Sequence, residues 1–549
     1  MHDHAPRQRL ATHEVLNQPP ADSDLDLFAL DLPLQEALAR EAPEWVARRL
    51  APLGKQVGSR RVQALGEQAN RHPPTLRLFD RHGRRLDEVS YHPAYHELMH
   101  LACDQGWHAV AWQEEARGGH QAHVAALYLL TQAEPGVCCP VTMTHAAMPA
   151  LRHAPAVLAQ WAPRLLAWDY DPRALPASDK PAVTLGMAMT EKQGGSDVRA
   201  NTTRAEASED GVRLLGHKWF CSAPMSDAFL TLAQTDDGLG CFLVPRFTPD
   251  GERNAIELQR LKEKCGNHAN ASAEVEYCHA WAQPIGDPGR GIATILEMVQ
   301  QTRLDAATAP VGMMRQALLL AWQHAQARHA FGQRLADQPL MRAVIADLAL
   351  EVEAGVALTL RIARAFDNPH SEHEQGLARI APALAKYWHN KRGPGFMAEA
   401  MECLGGIGYV EETPLARLYR EAPVNSIWEG AGNVICLDVL RVLGRHPEAV
   451  DALRHELDAA RGQNAHYDRA LGELERTLGM PSDALVPQAR WLTQRLAQCL
   501  QAALLLRHTP TAVAATFCRA RLGEVSPAYG VLPADAPLAE ILARVTPDA

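Results

Sequence analysis

Apolar and polar positions change period several times along this chain of 549 residues. The first fifty residues are rich in Asp, Pro and Leu, and Thr12 to Pro20 reads as an extended arm because prolines exclude helix there. From Asp31 to about Trp168 the apolar spacing is mainly helical. Asp31-Leu32-Pro33 marks a helix start, and Tyr95 to Met99 and Val124 to Leu130 lie inside helices. The pattern changes at about Asp179. Short apolar runs at Pro181 to Met189, Gly211 to Gly216, Ala228 to Ala233 and Gly240 to Pro245 are separated by Asp/Gly turns, and predict a small β domain reaching about Pro284. Helical spacing returns from Gly291 to Gly444. Ile292 to Arg334 reads as one long helix or two abutting ones, and Asp337 to Asp367 and Gln375 to Met401 as antiparallel partners in a bundle. Pro447 opens a last helical section, broken at Pro481, Pro487, Pro510 and Pro527. The order predicts a mostly α, α+β enzyme of four parts: 1–180, 181–290, 291–445 and 446–549.

Composition narrows the setting. Hydrophobic residues make up 47% of the chain, enough for sizeable cores, yet no run of eighteen apolar residues predicts a membrane helix. Met1 to Arg7 lacks the basic-then-apolar order of a signal peptide, so cytoplasm is expected. The eleven cysteines show no Cys-x-x-Cys spacing and are read as reduced, with no disulfide framework and no metal site. His92, His96, His100 and His108 spread along helical surface without the acidic and cysteine partners of a metal site. A net charge of −10 gives no global reason to bind nucleic acid. Locally the charges segregate: Ala484 to Gly523 holds Arg490, Arg495, Arg507, Arg519 and Arg521 and no acid. Arginine forks suit phosphate oxygens, although a solvated face whose acids lie elsewhere in the fold is the ordinary explanation.

Two stretches carry candidate chemistry. In Asn425-Ser426-Ile427-Trp428-Glu429-Gly430-Ala431-Gly432-Asn433, one carboxylate sits on a turn before the apolar run Val434 to Leu443. Its glycines permit close backbone approach, and an isolated Glu there need only complement a helix dipole. In Met189-Thr190-Glu191-Lys192-Gln193-Gly194-Gly195-Ser196-Asp197, consecutive glycines bare backbone N–H groups that suit a polar ring edge or a phosphate; alone it is an ordinary hairpin turn.

The second stretch resembles the first signature of the acyl-CoA dehydrogenase family. Glu402-Cys403-Leu404-Gly405-Gly406-Ile407-Gly408-Tyr409, with Glu412, Arg417 and Glu421, resembles the second. Lys264 to His268 and the Arg328-His329-Ala330-Phe331-Gly332 element are also family-like, although His268 stands where Arg is common. The resemblance implies an N-terminal helical domain, a small middle β-barrel or sandwich, a four-helix-bundle-like domain and, here, an extra C-terminal helical domain. It also implies FAD. Met187, Ala188, Met189, Thr190, Gly194, Gly195 and Ser196 then meet the cofactor from the first signature. Phe220, Cys221 and Ser222 follow, with Phe220 where Trp usually covers the flavin and Ser222 where Thr reaches its N5. Arg328, Gly405 and Gly406 resemble elements that hold the FAD of a neighbouring subunit, which implies a homotetramer. Ile427, Trp428, Glu429, Gly430 and Asn433 are likewise implied to meet the cofactor. Glu429 matches the family's catalytic base, which removes the α-proton of an acyl-CoA thioester. Some relatives carry their base just before the Arg of a preceding helix. In this chain that place is Thr302 before Arg303, which holds no carboxylate. Trp428, Ala431 and Asn433 depart from the family's Tyr, Thr and Gln, and Arg441, if turned inward, pairs with Glu429.

The arm, both signatures, the Asn425 to Gly430 stretch and the C-terminal section resemble the AidB-type branch over essentially the whole chain. That branch implies the adaptive response to DNA alkylation, weak isovaleryl-CoA dehydrogenase activity, and double-stranded DNA bound by the C-terminal domain, here through the five arginines. An ordinary short- or branched-chain acyl-CoA dehydrogenase of catabolism, and a flavin scaffold without turnover, are the competing readings.

Overall fold

The computed structural model describes residues 6–19, 23–113, 117–209, 211–523 and 526–547; the stretch through Ala5 and Pro20 of the predicted arm lie outside the described residues. Helices α1 (Leu32–Glu41), α2 (Glu44–Val57), α3 (Arg60–Arg71), α4 (Pro93–Cys103), α5 (Gly119–Leu130), α6 (Pro135–Leu151) and α7 (Pro155–Leu165) form the N-terminal region. Asp31 caps α1, its carboxylate accepting from the Leu34 amide. A hairpin absent from the sequence reading interrupts this region: β1 (Thr75–Phe79) pairs antiparallel with β2 (Arg85–Ser90). Leu76 and Leu78 alternate with polar neighbours and lean on the β-domain core.

The middle domain holds β3 (Leu185–Ala188), β4 (Arg204–Ser208), β5 (Gly211–Ser222), β6 (Ala228–Thr235), β7 (Gly238–Pro245), β8 (Ile256–Leu261) and β9 (Ser272–Ile285). Their order is β3-β6-β4-β5-β9-β7, with β8 on β9, and a β6–β7 pairing closes the sheet on itself. Leu214, Phe229, Phe242, Val244 and Tyr277 fill its interior.

The bundle is α8 (Gly291–Ala327), α9 (Pro339–Phe366), α10 (Glu372–Cys403), α11 (Pro414–Glu421) and α12 (Gly432–Arg445). A short hairpin, β10 (His329–Ala330) with β11 (Gln333–Arg334), follows α8. Pro310 sits inside α8 and Pro382 inside α10. A proline lacks the N–H that would bond the carbonyl four residues earlier. Each helix supplies the other's missing donor. Asn390 of α10 donates to the Ala306 carbonyl at 2.9 Å, and Gln300 of α8 donates to the Ala378 carbonyl at 2.6 Å. The 37-residue helix therefore runs unbroken, and the two exchanges hold α8 against α10 at the level of the site. The last section, α13 (Pro447–Asp458), α14 (Ala465–Leu478), α15 (Ser482–His508), α16 (Thr511–Cys518) and α17 (Leu538–Leu542), packs onto the bundle through one continuous core. Among the described residues, no helix is long and apolar enough to cross a membrane.

Candidate active site

Glu429 sits three residues before α12, in the left-handed backbone region at φ +56°, followed by Gly430 at φ +103°. A left-handed non-glycine residue costs about 1–2 kcal/mol and persists where its surroundings impose it. Here they do. The Trp428 ring N–H donates to the buried Asn425 side chain at 2.6 Å, Lys386 Nζ of α10 donates to the Gly430 carbonyl at 2.7 Å, and Arg303 Nε of α8 donates to the Glu429 carbonyl at 3.4 Å. At φ +103° residue 430 holds a conformation that side chains rarely adopt, which favours glycine there.

The carboxylate itself accepts from Thr302 Oγ1 at 2.5 Å. The position where some relatives carry a rival base thus holds the hydroxyl that orients this one. Burial raises the Glu429 pKa, against the Thr302 hydroxyl and the charges of Lys386 and Arg303. Burial pushes the pKa of the Cys139 thiol, on α6, up to about 12; the Lys264 charge opposes this and the Glu429 charge adds to it.

The first signature forms its loop around a buried carboxylate. Glu191 is 1% exposed, accepts from Lys218 Nζ at 2.8 Å and from the Thr202 amide at 2.6 Å, and spans its turn by reciprocal bonds with the Gly194 backbone. Burial alone would raise its pKa; Lys218 and the Thr202 and Thr203 groups outweigh that and hold it at about 2. Met187 and Met189 are half-buried, and Ala188 and Cys221 lie in the β-domain core, so the last two present only backbone to a ligand. Thr190 is half-buried, and Gly195 and Ser196 are exposed.

These surfaces fit a flat aromatic cofactor carrying a pyrophosphate. Phe220 is 47% and Ile427 66% exposed despite being large and apolar. Gly405, at φ +66°, and Gly406 have nothing within 4 Å of where a Cβ would stand. Arg328 heads the β10–β11 hairpin, whose Phe331 is 97% exposed.

The arm is tied to that hairpin. Arg328 Nη1 donates to the Asn17 carbonyl at 2.6 Å, and the Asn17 side chain bonds both the amide and the carbonyl of His329, at 2.7 and 2.8 Å. We expect Asn17→Ala to weaken FAD retention roughly tenfold by loss of two hydrogen bonds. Fluorescence of released flavin on dilution measures this, and unchanged retention would free the hairpin from the arm.

Two expectations are corrected. Arg441 does not reach Glu429: its side chain is 59% exposed and pairs with Asp438 at 3.3 Å, one turn back on α12. The five C-terminal arginines do not form one phosphate-binding face. Arg521 is buried between Asp347 and Glu351 of α9, Arg507 pairs with Glu456, and half-buried Arg495 meets Glu473 and the Arg521 carbonyl. Exposed Arg519 pairs with Asp535, and exposed Arg490 donates to Asn433 at 3.0 Å. The segment's missing acids lie on other elements, which the local sequence does not reveal. Thr302 as a hydroxyl donor, Lys386, Cys139 and the Asn17 clamp were likewise missed. Of these only Lys386 left a trace, a lysine inside an apolar helical run.

Helices flanking a small closed sheet, with a half-buried carboxylate held by Thr302 on a left-handed turn, define an acyl-CoA dehydrogenase-type enzyme. Residues 17–172 match the adaptive response protein AidB N-terminal domain, residues 186–279 the acyl-CoA dehydrogenase middle domain and residues 289–444 its C-terminal domain. The chain is 48% identical to putative acyl-CoA dehydrogenase AidB of Escherichia coli (strain K12) over 93% of its own length and 94% of that protein's. Acyl-CoA dehydrogenase family member 11 of Caenorhabditis elegans is 31% identical over 90% of this chain and 85% of the relative. The crystal structure of C. elegans ACDH-11 in complex with C11-CoA superposes with a TM-score of 0.86 and 29% identity, covering 96% of this chain and 95% of that one. The chain belongs to the acyl-CoA dehydrogenase family, in its AidB-like group, and is an FAD oxidoreductase of that type.

Proposed function

We propose that this FAD oxidoreductase acts weakly on short branched acyl-CoA thioesters of the isovaleryl-CoA kind, serves the adaptive response to DNA alkylation in the cytoplasm, and binds double-stranded DNA as a homotetramer. The observation carrying the enzymatic part is the Glu429 carboxylate, fixed by Thr302 on a strained turn whose backbone Arg303 and Lys386 hold. The acyl-CoA class is supported by the relative solved with C11-CoA. Bound FAD supplies the hydride acceptor. The α-proton of a thioester is weakly acidic, so its removal needs a carboxylate that is ionised yet basic. Partial burial of Glu429 meets that need. The Glu429 amide is suited to donate to the thioester oxygen as negative charge develops there. Trp428 and Ala431, in place of the family's Tyr and Thr, support slow turnover on small acyl groups.

The tetramer is supported by large apolar side chains left bare: Phe331 at 97% and Tyr409 at 81% exposure, on elements resembling those that hold a neighbour's cofactor in the family, and Leu340 at 84% on α9. The adaptive-response role is supported by the match at residues 17–172 and by the 48% identity. Arg490 and Arg519 remain the candidates for phosphate contact, since an exposed pair such as Arg519–Asp535 is weak and exchangeable. One preparation tests the whole reading, through anaerobic flavin reduction by isovaleryl-CoA and a straight-chain panel, and DNA affinity at two salt concentrations. Reduction by isovaleryl-CoA and salt-dependent DNA binding are expected. The Arg490→Ala/Arg519→Ala double variant is expected to lower the salt slope of binding by roughly two. No reduction by any acyl-CoA would remove the enzymatic reading, and an unchanged slope would remove these two contacts.

A further inference from the structure

We propose that Lys386 is a positioning residue for Glu429: from α10 its ammonium holds the Gly430 carbonyl, fixing the left-handed turn, and its charge keeps the neighbouring carboxylate ionised for proton abstraction. The inference rests on the reading of Glu429 as the base.

The Lys386 side chain is buried, the residue being 1% exposed, and donates to the Gly430 carbonyl at 2.7 Å. An ammonium carries three donors and a full charge, and burying it is costly unless it is put to use. If its place were only to fill the core, Leu or Met would serve at lower cost. Three groups converge on the turn from two helices. Thr302 and Arg303 come from α8 and Lys386 from α10, and the reciprocal Pro310/Asn390 and Pro382/Gln300 arrangement holds these helices in register. Pinning the carbonyl of residue 430 together with that of residue 429 fixes the peptide plane that aims the base.

The charges around Lys386 are unbalanced in a way that favours this use. Arg303 and Lys391 face it as like charges, and Glu429 is the opposite charge acting on it. Asp438, the next acid, already meets Arg303, Arg379 and Arg441, the first at 2.8 Å. Lys391 is engaged with the Ser426 hydroxyl at 2.8 Å. Burial and the two like charges bring the Lys386 pKa down to about 7 against the pull of Glu429, so its charge is adjustable near neutrality.

The sign is fixed. The charge of Lys386 stabilises the Glu429 carboxylate, so removing it raises the pH at which Glu429 ionises. The test compares FAD-loaded wild type with Lys386→Met, Lys386→Gln and Lys386→Arg. Gln keeps a donor for the Gly430 carbonyl without charge, and Arg keeps the charge. Anaerobic flavin reduction by isovaleryl-CoA is followed against pH. The Glu429 carboxyl itself is followed by infrared difference against a Glu429→Gln counterpart, with no substrate. Met and Gln are expected to move both midpoints up by about one pH unit, with roughly tenfold slower reduction on the acid side. Arg is expected to stay near wild type, and Met alone to lose rate at all pH values. Coincident midpoints in all four proteins would overturn the assignment, as would an equal shift in Arg and Gln. If Met does not fold, Gln against Arg decides the charge. Failure of wild type to be reduced would instead count against the dehydrogenase reading, while the infrared midpoints still decide Lys386.

Discussion

Glu429→Gln is expected to keep its FAD and its fold while anaerobic flavin reduction by isovaleryl-CoA slows at least about a thousandfold. Gln matches Glu in shape, and its amide can still accept from the Thr302 hydroxyl, which lies 2.5 Å from the carboxylate in the wild type. The turn depends on Lys386 and Arg303 bonding backbone carbonyls, and neither bond involves the substituted atoms. The loss therefore isolates basicity from position. Thr302→Val should behave differently. It frees the carboxylate to sample other rotamers and removes a bond that lowers its pKa, so a smaller loss with a midpoint moved to higher pH is expected. A Glu429→Gln rate within tenfold of wild type would mean that another group takes the proton.

Arg521→Ala is the second large effect, and it concerns stability. The guanidinium is buried against Asp347 and Glu351, and Arg392 shares Glu351 at 3.1 Å. Among the described residues, truncation leaves the Asp347 carboxylate with the Gly530 amide, at 2.8 Å, as its remaining hydrogen-bond donor. Breaking one side of a buried ion pair costs about 3–5 kcal/mol. Thermal or denaturant unfolding should register that loss, while DNA affinity per folded molecule stays unchanged. A drop in salt-dependent DNA affinity with unaltered unfolding would restore Arg521 to an exposed binding role.

The contrast between these residues shows what the sequence carries. Glu429 and the Gly194-Gly195 turn are local patterns, each legible within about ten residues because backbone conformation and chemistry share one segment. The short apolar run of β7 and the helical spacing of α9 are legible for the same reason. The hairpin headed by Arg328 is not, since Ile292 to Arg334 reads as helix whereas α8 ends at Ala327. Arg521 meets acids more than 160 residues away, and Thr302 meets Glu429 across 127. No periodicity reports such pairings, so a run of arginines without acids looked like open surface. The β1–β2 hairpin was hidden differently. Its two short strands lie among helices, and its alternation Leu76-Arg77-Leu78 spans too few residues to stand out. That Ile292 onward is one helix rather than two abutting ones was likewise hidden, because the donor missing at Pro310 comes from Asn390 on another helix.

A base at Glu429 that removes the α-proton of the thioester also exchanges that proton with solvent. FAD-loaded protein is incubated anaerobically in D2O with isovaleryl-CoA, and the recovered thioester is examined by mass spectrometry and NMR. Deuterium is expected at the α-carbon with wild type and none above background with Glu429→Gln. Equal incorporation by both proteins would contradict it.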